Sequence, residues 1–289
     1  MYQQYRPARF NQLPVIVKNL LIINLLFFLA QLLFKHQFGQ MAEGPPRDVL
    51  AEKLGLFFPL GDNFAFYQFI TYQFLHGDFG HLFFNMLGLW FFGYQLENVW
   101  GPKRFLIFYL VCGLGAAAIH MGWTGVKVMH QTAPAREFLA NPELGAFEEL
   151  ANTYTFPGES SYWIDARVDD VRTFAMVGQP EKALQAAVSM CSEYVSDRYN
   201  EHAIIGASGS VYGILMAFGL LFANTEIVLW GLFVPIRAKW LVLFLGISAF
   251  ISAIANRPDD LIAHVAHLGG MVFGFILVKF YNRSRTHFY

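Results

Sequence analysis

Residues 76–99 read HGDFGHLFFNMLGLWFFGYQLENV, and this stretch decides the fold class. From Leu82 onward it is mostly apolar for close to the ~20 residues that a helix needs to cross a bilayer. His76, His81 and Asn85 stand at its start, and the last two are four residues apart, so they project from one helix face. Polar side chains are costly in lipid, which makes these three candidates for a functional role.

Six apolar segments of this kind predict an all-α polytopic membrane protein, built as a bundle of six transmembrane helices. They are residues 15–34, 82–99, 105–123, 203–222, 240–255 and 261–280. Of the 289 residues, 55% are hydrophobic and only 14% are charged, whereas a soluble protein carries roughly 25% charged residues. This composition argues against a soluble enzyme and a disordered chain. The net charge of −1 argues against a nucleic-acid binder.

Arg6, Arg9 and Lys18 precede the apolar core of the first segment, as basic residues precede the core of a signal peptide. It lacks a small-residue cleavage site, so we interpret it as a retained anchor. Residues 54–75, between the first two spans, are rich in aromatic residues but interrupted by Pro59 and polar residues. We predict that they form a re-entrant-like first loop, half-sunk among the lipid headgroups.

Lys and Arg residues near the helix ends predict the orientation of the protein. If the N-terminus is cytoplasmic, ten lie on that side and four lie in the short loops opposite. The ten are Arg6, Arg9, Lys18, Lys103, Arg104, Arg237, Lys239, Lys279, Arg283 and Arg285, and the four are Lys35, Arg47, Lys53 and Arg257. We therefore expect both termini in the cytoplasm. For the localisation we expect a bacterial-type inner membrane.

Residues 124–200 interrupt the pattern of spans. They hold 11 of the 21 Asp and Glu residues but 6 of the 20 Lys and Arg residues, a net charge of −5. Apolar residues recur with helical period from Leu184 to Val195, after Pro180 at a helix start and Gly178 at the end of an earlier stretch. We predict an external helical hairpin preceded by a loop. The chain then divides into 1–123 with the first three spans, the insert 124–200, and 201–289 with the last three.

Two of the spans carry candidates for a catalytic pair. Ser208 lies in the run Gly206-Ala207-Ser208-Gly209 near the external end of the fourth span, and His267 lies at a similar depth in the sixth. Small-residue faces allow helices to approach closely, and each of the two spans has one. These are Gly209 with Gly213, and Gly270 with Gly274. Close approach would bring the serine within hydrogen-bond reach of the histidine, although the Ser208 motif alone is more typical of helix packing than of a nucleophile.

Taken together, these motifs resemble the rhomboid intramembrane serine proteases over about 200 residues, roughly 64–122 and 203–280. The run from His76 through His81 to Asn85 is similar to the second-helix signature of that family. Gly206-Ala207-Ser208-Gly209, with Tyr212 one turn later, resembles its nucleophile motif. His267, followed by Gly270 and Gly274, resembles its sixth-helix signature, so the resemblance implies a rhomboid-like bundle with an external insert.

The resemblance implies a serine endopeptidase that cleaves transmembrane segments of membrane proteins near the outer interface, without a cofactor or metal. Ser208 would be the nucleophile and His267 the general base, in a dyad. His81, Asn85 and the Ser208 backbone N–H would stabilise the oxyanion. The residues expected to support the site are Gly206, Gly209, Tyr212, Gly270, Gly274 and His76. We expect transmembrane substrates and the bilayer as partners, and no nucleic acid.

Two features depart from the family pattern. The first loop of the family often carries a Trp-Arg pair, and the matching positions here are Tyr67 and Gln68. The insert falls where many relatives have a short loop, and the resemblance implies no role for it.

Two other classes of function remain open on the sequence. A catalytically silent rhomboid-like protein would bind and escort membrane proteins instead of cleaving them. A metal site could be built from the four histidines at positions 76, 81, 264 and 267, but their spacing is not HExxH and no acidic ligand accompanies them. Cys112 and Cys191 form no CxxC pair, which argues against a disulfide scaffold or thiolate zinc site.

Overall fold

The computed structural model describes residues 13–38, 48–157, 161–201, 203–228, 235–255 and 263–283, and within them the protein is mostly helical. The helices are α1 (Val15–Phe38), α2 (Val49–Leu54), α3 (Gln68–Thr71), α4 (Phe79–Trp100), α5 (Pro102–Ala140), α6 (Leu144–Thr153), α7 (Ser161–Met176), α8 (Pro180–Asn200), α9 (Ser208–Leu221), α10 (Ala238–Ala255) and α11 (His264–Arg283). A 3₁₀ turn, Tyr72–Phe74, follows α3, and the short antiparallel strands β1 (Glu226–Val228) and β2 (Pro235–Arg237) precede α10.

Four of the described helices are long and apolar enough to cross a membrane: α1, α5, α10 and α11. Helices α1, α5 and α10 each contain one of the spans expected from the sequence, and α11 covers residues 264–280 of the expected sixth span. The two other expected spans correspond to α4, which has 22 residues, and to α9, which is apolar but has only 14. The protein is therefore a mostly helical integral membrane protein with four candidate spans by length and hydropathy.

Helix α9 lies at the centre of the membrane part of the fold. It contacts α4, α5, α10 and α11, and its side chains Ile214 and Phe218 are buried with Leu89 and Phe92 of α4 and Phe108 of α5. Large apolar side chains on the outer helices remain exposed. They include Leu26 and Leu33 on α1 and Phe244, Phe250 and Ile254 on α10. An exposed apolar shell around a packed centre is what a bilayer environment requires.

A buried carboxylate joins α1 to α4. Glu97, near the end of α4, accepts hydrogen bonds from the backbone N–H groups of Ile16 at 2.9 Å and Val17 at 2.8 Å. These are two of the N–H groups that the first turn of α1 leaves without helical partners. The start of α1 and the end of α4 therefore lie at the same end of the bundle.

The insert differs from the sequence-based expectation in one respect. The predicted hairpin is present as α7 and α8, with Pro180 at the first position of α8 and Gly178 at φ = +73° before it. The described segment before it is mostly helical and not a loop, because α5 is 39 residues long and ends only at Ala140, and α6 follows. Pro134 lies inside α5, which packs against α8 beyond the membrane part. Tertiary burial there overrides the weak local propensity.

The insert has a hydrophobic core of its own. Phe138 of α5, Phe147 of α6, Val171 of α7 and Met190 with Tyr194 of α8 are buried in one cluster, separate from the cluster around α9. The insert is thus a packed helical unit that rises from α5 and returns to the membrane part through α8.

Candidate active site

Ser208 is the first residue of α9 and follows an unusual backbone conformation at Gly206. Gly206 has φ = +128°, which L side chains rarely adopt, so glycine is required there. Its N–H donates to the carbonyl oxygen of Tyr72 in the first loop at 2.9 Å. Because Ser208 starts a helix, its own backbone N–H has no acceptor within α9. The serine therefore offers a hydroxyl and an amide donor at the same helix end.

His267 of α11 lies opposite the serine. Its Nε2 atom is 2.8 Å from Ser208 Oγ, and only 8% of the residue is exposed. This is the hydrogen-bond distance expected between a serine nucleophile and its general base.

Glycines allow the two helices to approach this closely. A Cβ atom on Gly274 would lie 2.6 Å from the carbonyl oxygen of Gly213, and one on Gly270 would overlap the carbonyl oxygen of Gly209. Both distances are shorter than real Cβ contacts. The small-residue faces noted in the sequence therefore lie against each other.

The ring of Tyr212 holds the imidazole in place. It lies one turn after Ser208 and stacks on His267 with ring centroids 4.1 Å apart and planes 6° apart. A stacked ring restricts rotation of the imidazole about its side-chain bonds while leaving Nε2 directed at the serine.

His81 lies beside the bend that precedes Ser208. Asp78 caps α4 and accepts from the His81 backbone N–H at 2.9 Å. The His81 Nδ1 atom accepts from the Gly77 N–H at 3.4 Å, which places the ring proton on Nε2. A Cβ on Gly206 would lie 2.7 Å from that Nε2 atom, so the donor faces the bend.

Asn85 follows one turn later on the same face of α4. It is buried, and its Nδ2 atom has no hydrogen-bond partner among the residues that the structure describes. A buried amide donor without a partner is unusual in a folded protein and is consistent with a ligand group that completes it.

The sequence model of the rhomboid domain matches residues 63–130 and 181–284. The chain belongs to the rhomboid family. It is also 35% identical over 92 residues to RHOMBOID-like protein 12, mitochondrial, of Arabidopsis thaliana, an alignment that covers 29% of this chain and 27% of that protein. The chain thus spans about a quarter of the length of that relative. No solved structure matches it significantly.

The family match skips residues 131–180. In this rhomboid protein the skipped residues comprise the end of α5, then α6 and α7. Most of the insert therefore lies outside the shared domain, whereas α8 lies within the matched residues.

His76 does not reach the Ser208–His267 pair directly. It is 1% exposed, and its ring lies edge-on to His81 with centroids 5.0 Å apart. Burial, with nearby His81 as a second cause, lowers the pKa of His76 to about 3, so it is neutral at pH 7. Its backbone N–H donates to Gln31 Oε1 of α1 at 2.9 Å, and Gln31 Nε2 donates to Asp48 at 2.8 Å. His76 therefore lies between the first loop and His81, where it supports the site.

His264, the alternative base, begins α11 three residues before His267. Its ring lies perpendicular to that of His267, with centroids 5.8 Å apart. No group of three His, Cys, Asp or Glu side chains in the described part of the chain is arranged to hold a metal ion.

The sequence analysis missed a polar contact on the other side of Ser208. Ser210 is buried, and its hydroxyl lies 3.0 Å from Gln73 Oε1 and 2.8 Å from the carbonyl oxygen of Tyr109. Gln73 follows Tyr72, whose carbonyl accepts from Gly206 and whose hydroxyl donates to the Gly113 carbonyl at 2.8 Å. Two consecutive loop residues thus hold the chain before and after the serine. The only sequence signal was a glutamine in an aromatic-rich loop.

Gln68 organises the first loop in place of the arginine that is common in the family. It is 1% exposed, and its Nε2 atom donates to the carbonyls of Lys53 at 3.3 Å and Asn63 at 2.8 Å. Its Oε1 atom accepts from the N–H groups of Phe57 at 3.3 Å and Ala65 at 3.1 Å. All four hydrogen-bonding positions of the amide are therefore used within the loop.

Proposed function

We propose that this rhomboid protein is an intramembrane serine endopeptidase that cleaves transmembrane segments of other proteins near the outer membrane interface. The observation that carries the proposal is the 2.8 Å contact between Ser208 Oγ and His267 Nε2. Two spans that are far apart in the sequence meet there through paired glycines. Helix packing alone does not require a histidine ring nitrogen directed at that serine.

In the proposed reaction, Ser208 Oγ attacks the scissile carbonyl carbon while His267 Nε2 accepts the hydroxyl proton. His267 then donates this proton to the leaving amine, and the C-terminal fragment departs with a new amino terminus while the N-terminal fragment remains bound to Ser208 as an ester. Water hydrolyses the acyl-serine, with His267 again as the base. The stacked Tyr212 ring would keep the imidazole plane fixed through these steps.

The oxyanion would be stabilised by three donors around the Gly206–Ser208 bend. These are the Ser208 backbone N–H, His81 Nε2–H and Asn85 Nδ2. The Asn85 donor has no other partner among the described residues, and His81 faces the bend. Donors arranged before the charge develops are worth about 3 kcal/mol each in comparable hydrolases.

The length of α9 supports a site below the membrane surface. Fourteen helical residues extend about 21 Å, whereas the hydrocarbon layer is about 30 Å thick. If the C-terminal end of α9 lies at the inner interface, Ser208 lies roughly 9 Å below the outer interface. With α4 at 22 residues, or about 33 Å, the bundle would then have six spans.

A substrate for such a site is a membrane segment that exposes a peptide bond at this depth. An intact helix uses its own carbonyls in hydrogen bonds, so a segment with small or helix-breaking residues near the outer interface is the chemistry we expect. The ten-to-four distribution of Lys and Arg supports the proposal that both termini lie on the cytoplasmic side. A bacterial-type inner membrane is part of the proposal.

The test is cleavage of a panel of transmembrane segments by the purified protein in proteoliposomes, with Ser208→Ala beside it. We expect the wild type to cleave at least one segment and Ser208→Ala to cleave none. A fluorophosphonate probe should label the wild type at Ser208. Ser248→Ala, which changes an exposed serine of α10, is the matched control and should keep full activity.

Two outcomes would contradict the proposal. Cleavage by Ser208→Ala above a few per cent of the wild-type rate would exclude the serine mechanism. Binding of the segments without cleavage or labelling would instead favour the silent, substrate-binding relative.

A further inference from the structure

The segment that leads from the insert to Ser208 is attached to the first loop at two places near the serine. Ile204 and Leu56 exchange two backbone hydrogen bonds of 3.0 Å each, and the Gly206 N–H donates to the Tyr72 carbonyl at 2.9 Å. Residues 201–207 separate the insert from the nucleophile. Their register against the first loop therefore fixes where α9 begins.

A third attachment comes from the last residue of the insert. Asn200 Oδ1 accepts from the backbone N–H groups of Asp62 at 2.8 Å and Asn63 at 3.3 Å. Asn200 Nδ2 donates to Asp62 Oδ2 at 3.3 Å. One amide side chain thus satisfies two backbone donors and one carboxylate at the turn of the first loop.

The neighbouring residue fits the same turn closely. The Tyr199 carbonyl lies over Gly61, where a Cβ atom would overlap it, and the Tyr199 ring lies 5.9 Å from that of Phe58. Helix α8 therefore ends directly on the first loop.

This end of α8 is itself fixed to α5. Arg198 is buried, donates to Gln131 Oε1 at 2.6 Å and forms an ion pair with Glu201. Tyr194 OH donates to the Gln131 carbonyl at 3.1 Å. Because α5 is one of the helices that cross the membrane, Asn200 is held in a fixed position relative to the bundle.

The contact continues from the turn toward the site. The Asn63 carbonyl accepts from Gln68, and Gln68 begins α3, which leads into the 3₁₀ turn that carries Tyr72 and Gln73. The first loop is thus held at one end by Asn200 and contacts both sides of Ser208 at the other.

We propose that Asn200 is a positioning residue for the cleavage reaction. Through it, the insert fixes the register between the first loop and residues 201–207, and so the place of Ser208 opposite His267. This inference rests on the proposed function. It also gives the insert a role in positioning Ser208, whether or not the insert contacts a substrate.

The chain offers a test by exchange of two partners. Asn200→Asp keeps the acceptor for the two N–H groups but places a second carboxylate 3.3 Å from that of Asp62. Like charges at this distance repel. Adding Asp62→Asn removes the repulsion, because the amide donor is then at position 62 and the carboxylate at position 200.

A misplacement of about 1 Å can lower turnover about 100-fold, so for Asn200→Asp we expect about a tenfold lower kcat with KM within about twofold. The double variant should return to within about threefold of the wild-type kcat. Asn152→Asp is the matched control, since it makes the same change at an exposed asparagine of the insert that pairs with Arg172, and it should leave kcat unchanged.

Hydrogen exchange of the Ile204 and Gly206 amides gives a second readout that needs no activity. Both amides should exchange faster in Asn200→Asp and regain protection in the double variant. Wild-type kcat and protection in Asn200→Asp, or no recovery in the double variant, would overturn the inference. If the wild type cleaves nothing and resists the fluorophosphonate, the proposed function fails, and the exchange result alone decides whether Asn200 fixes the register.

Discussion

Gly270→Ala should separate the catalytic pair without changing either member. A Cβ atom at this position would overlap the Gly209 carbonyl oxygen and lie 2.8 Å from its carbon, whereas ordinary contact begins at 3.4 Å. Relief of the overlap with the oxygen requires α11 to move from α9 by more than the roughly 0.6 Å that would bring the carbon contact from 2.8 Å to 3.4 Å. A shift of this size or larger lengthens the Ser208–His267 contact from 2.8 Å to about 3.4 Å or more, at or beyond the limit of a useful hydrogen bond.

We therefore expect Gly270→Ala to lower kcat by ten- to 100-fold, since a displacement of about 1 Å costs about 100-fold. Overpacking of this kind also destabilises a protein by about 1–3 kcal/mol, so the variant should remain folded at 25 °C but unfold at a lower temperature. The assay is kcat and KM on a transmembrane segment in proteoliposomes, with thermal unfolding of the same samples.

Gly122→Ala is the matched control for this substitution. Gly122 lies on α5, and a Cβ atom there meets nothing within 4 Å. The same change should leave turnover unchanged and raise stability by about 0.5–1 kcal/mol, because alanine favours the helix. Suppose that Gly270→Ala is folded to the same fraction as Gly122→Ala and still turns over substrate at the wild-type rate. This result would show that the close approach of α9 and α11 does not set the dyad geometry.

Two further predictions follow from the site and the insert. His267→Ala should abolish cleavage as fully as Ser208→Ala, and the double variant should be no worse than either single variant. His264→Ala should keep substantial turnover. Loss of cleavage in His264→Ala together with near-normal cleavage in His267→Ala would identify His264 as the base. Burial raises the pKa of the Cys191 thiol from 9.0 to about 12, so the folded insert holds its proton while the unfolded chain loses it. The contribution of this thiol to insert stability should therefore be complete below about pH 9 and fall between about pH 9 and 12, measured as unfolding against pH beside Cys191→Ala.

Short-range patterns were sufficient to predict several parts of the fold. Apolar runs near the length of a bilayer span predicted helices, and four of them are long and apolar enough to cross a membrane. The helical period from Leu184 to Val195, with Pro180 before it, predicted α8 within the insert. These features depend on the spacing of residues along one helix, which the sequence contains directly.

The candidate site was predictable only as two separate motifs. Glycines four residues apart near Ser208 and after His267 indicated that their helices could approach each other closely. The pairing itself, with Gly270 against Gly209, is a property of the packed bundle. The stacking of Tyr212 on His267 likewise depends on how α9 and α11 face each other.

The sequence by itself determined a helical membrane protein of the rhomboid type, with a serine and a histidine on two glycine-bearing helices. It did so because hydropathy, helical period and small-residue spacing are local properties. Only the tertiary structure decided that α5 continues into the insert, that the Gln68 amide forms its hydrogen bonds within the first loop, and that Asn200 forms hydrogen bonds with Asp62. These contacts join residues far apart in the chain, 138 positions in the last case. Their hydrogen bonds depend on the packing of the whole bundle, which no local pattern specifies.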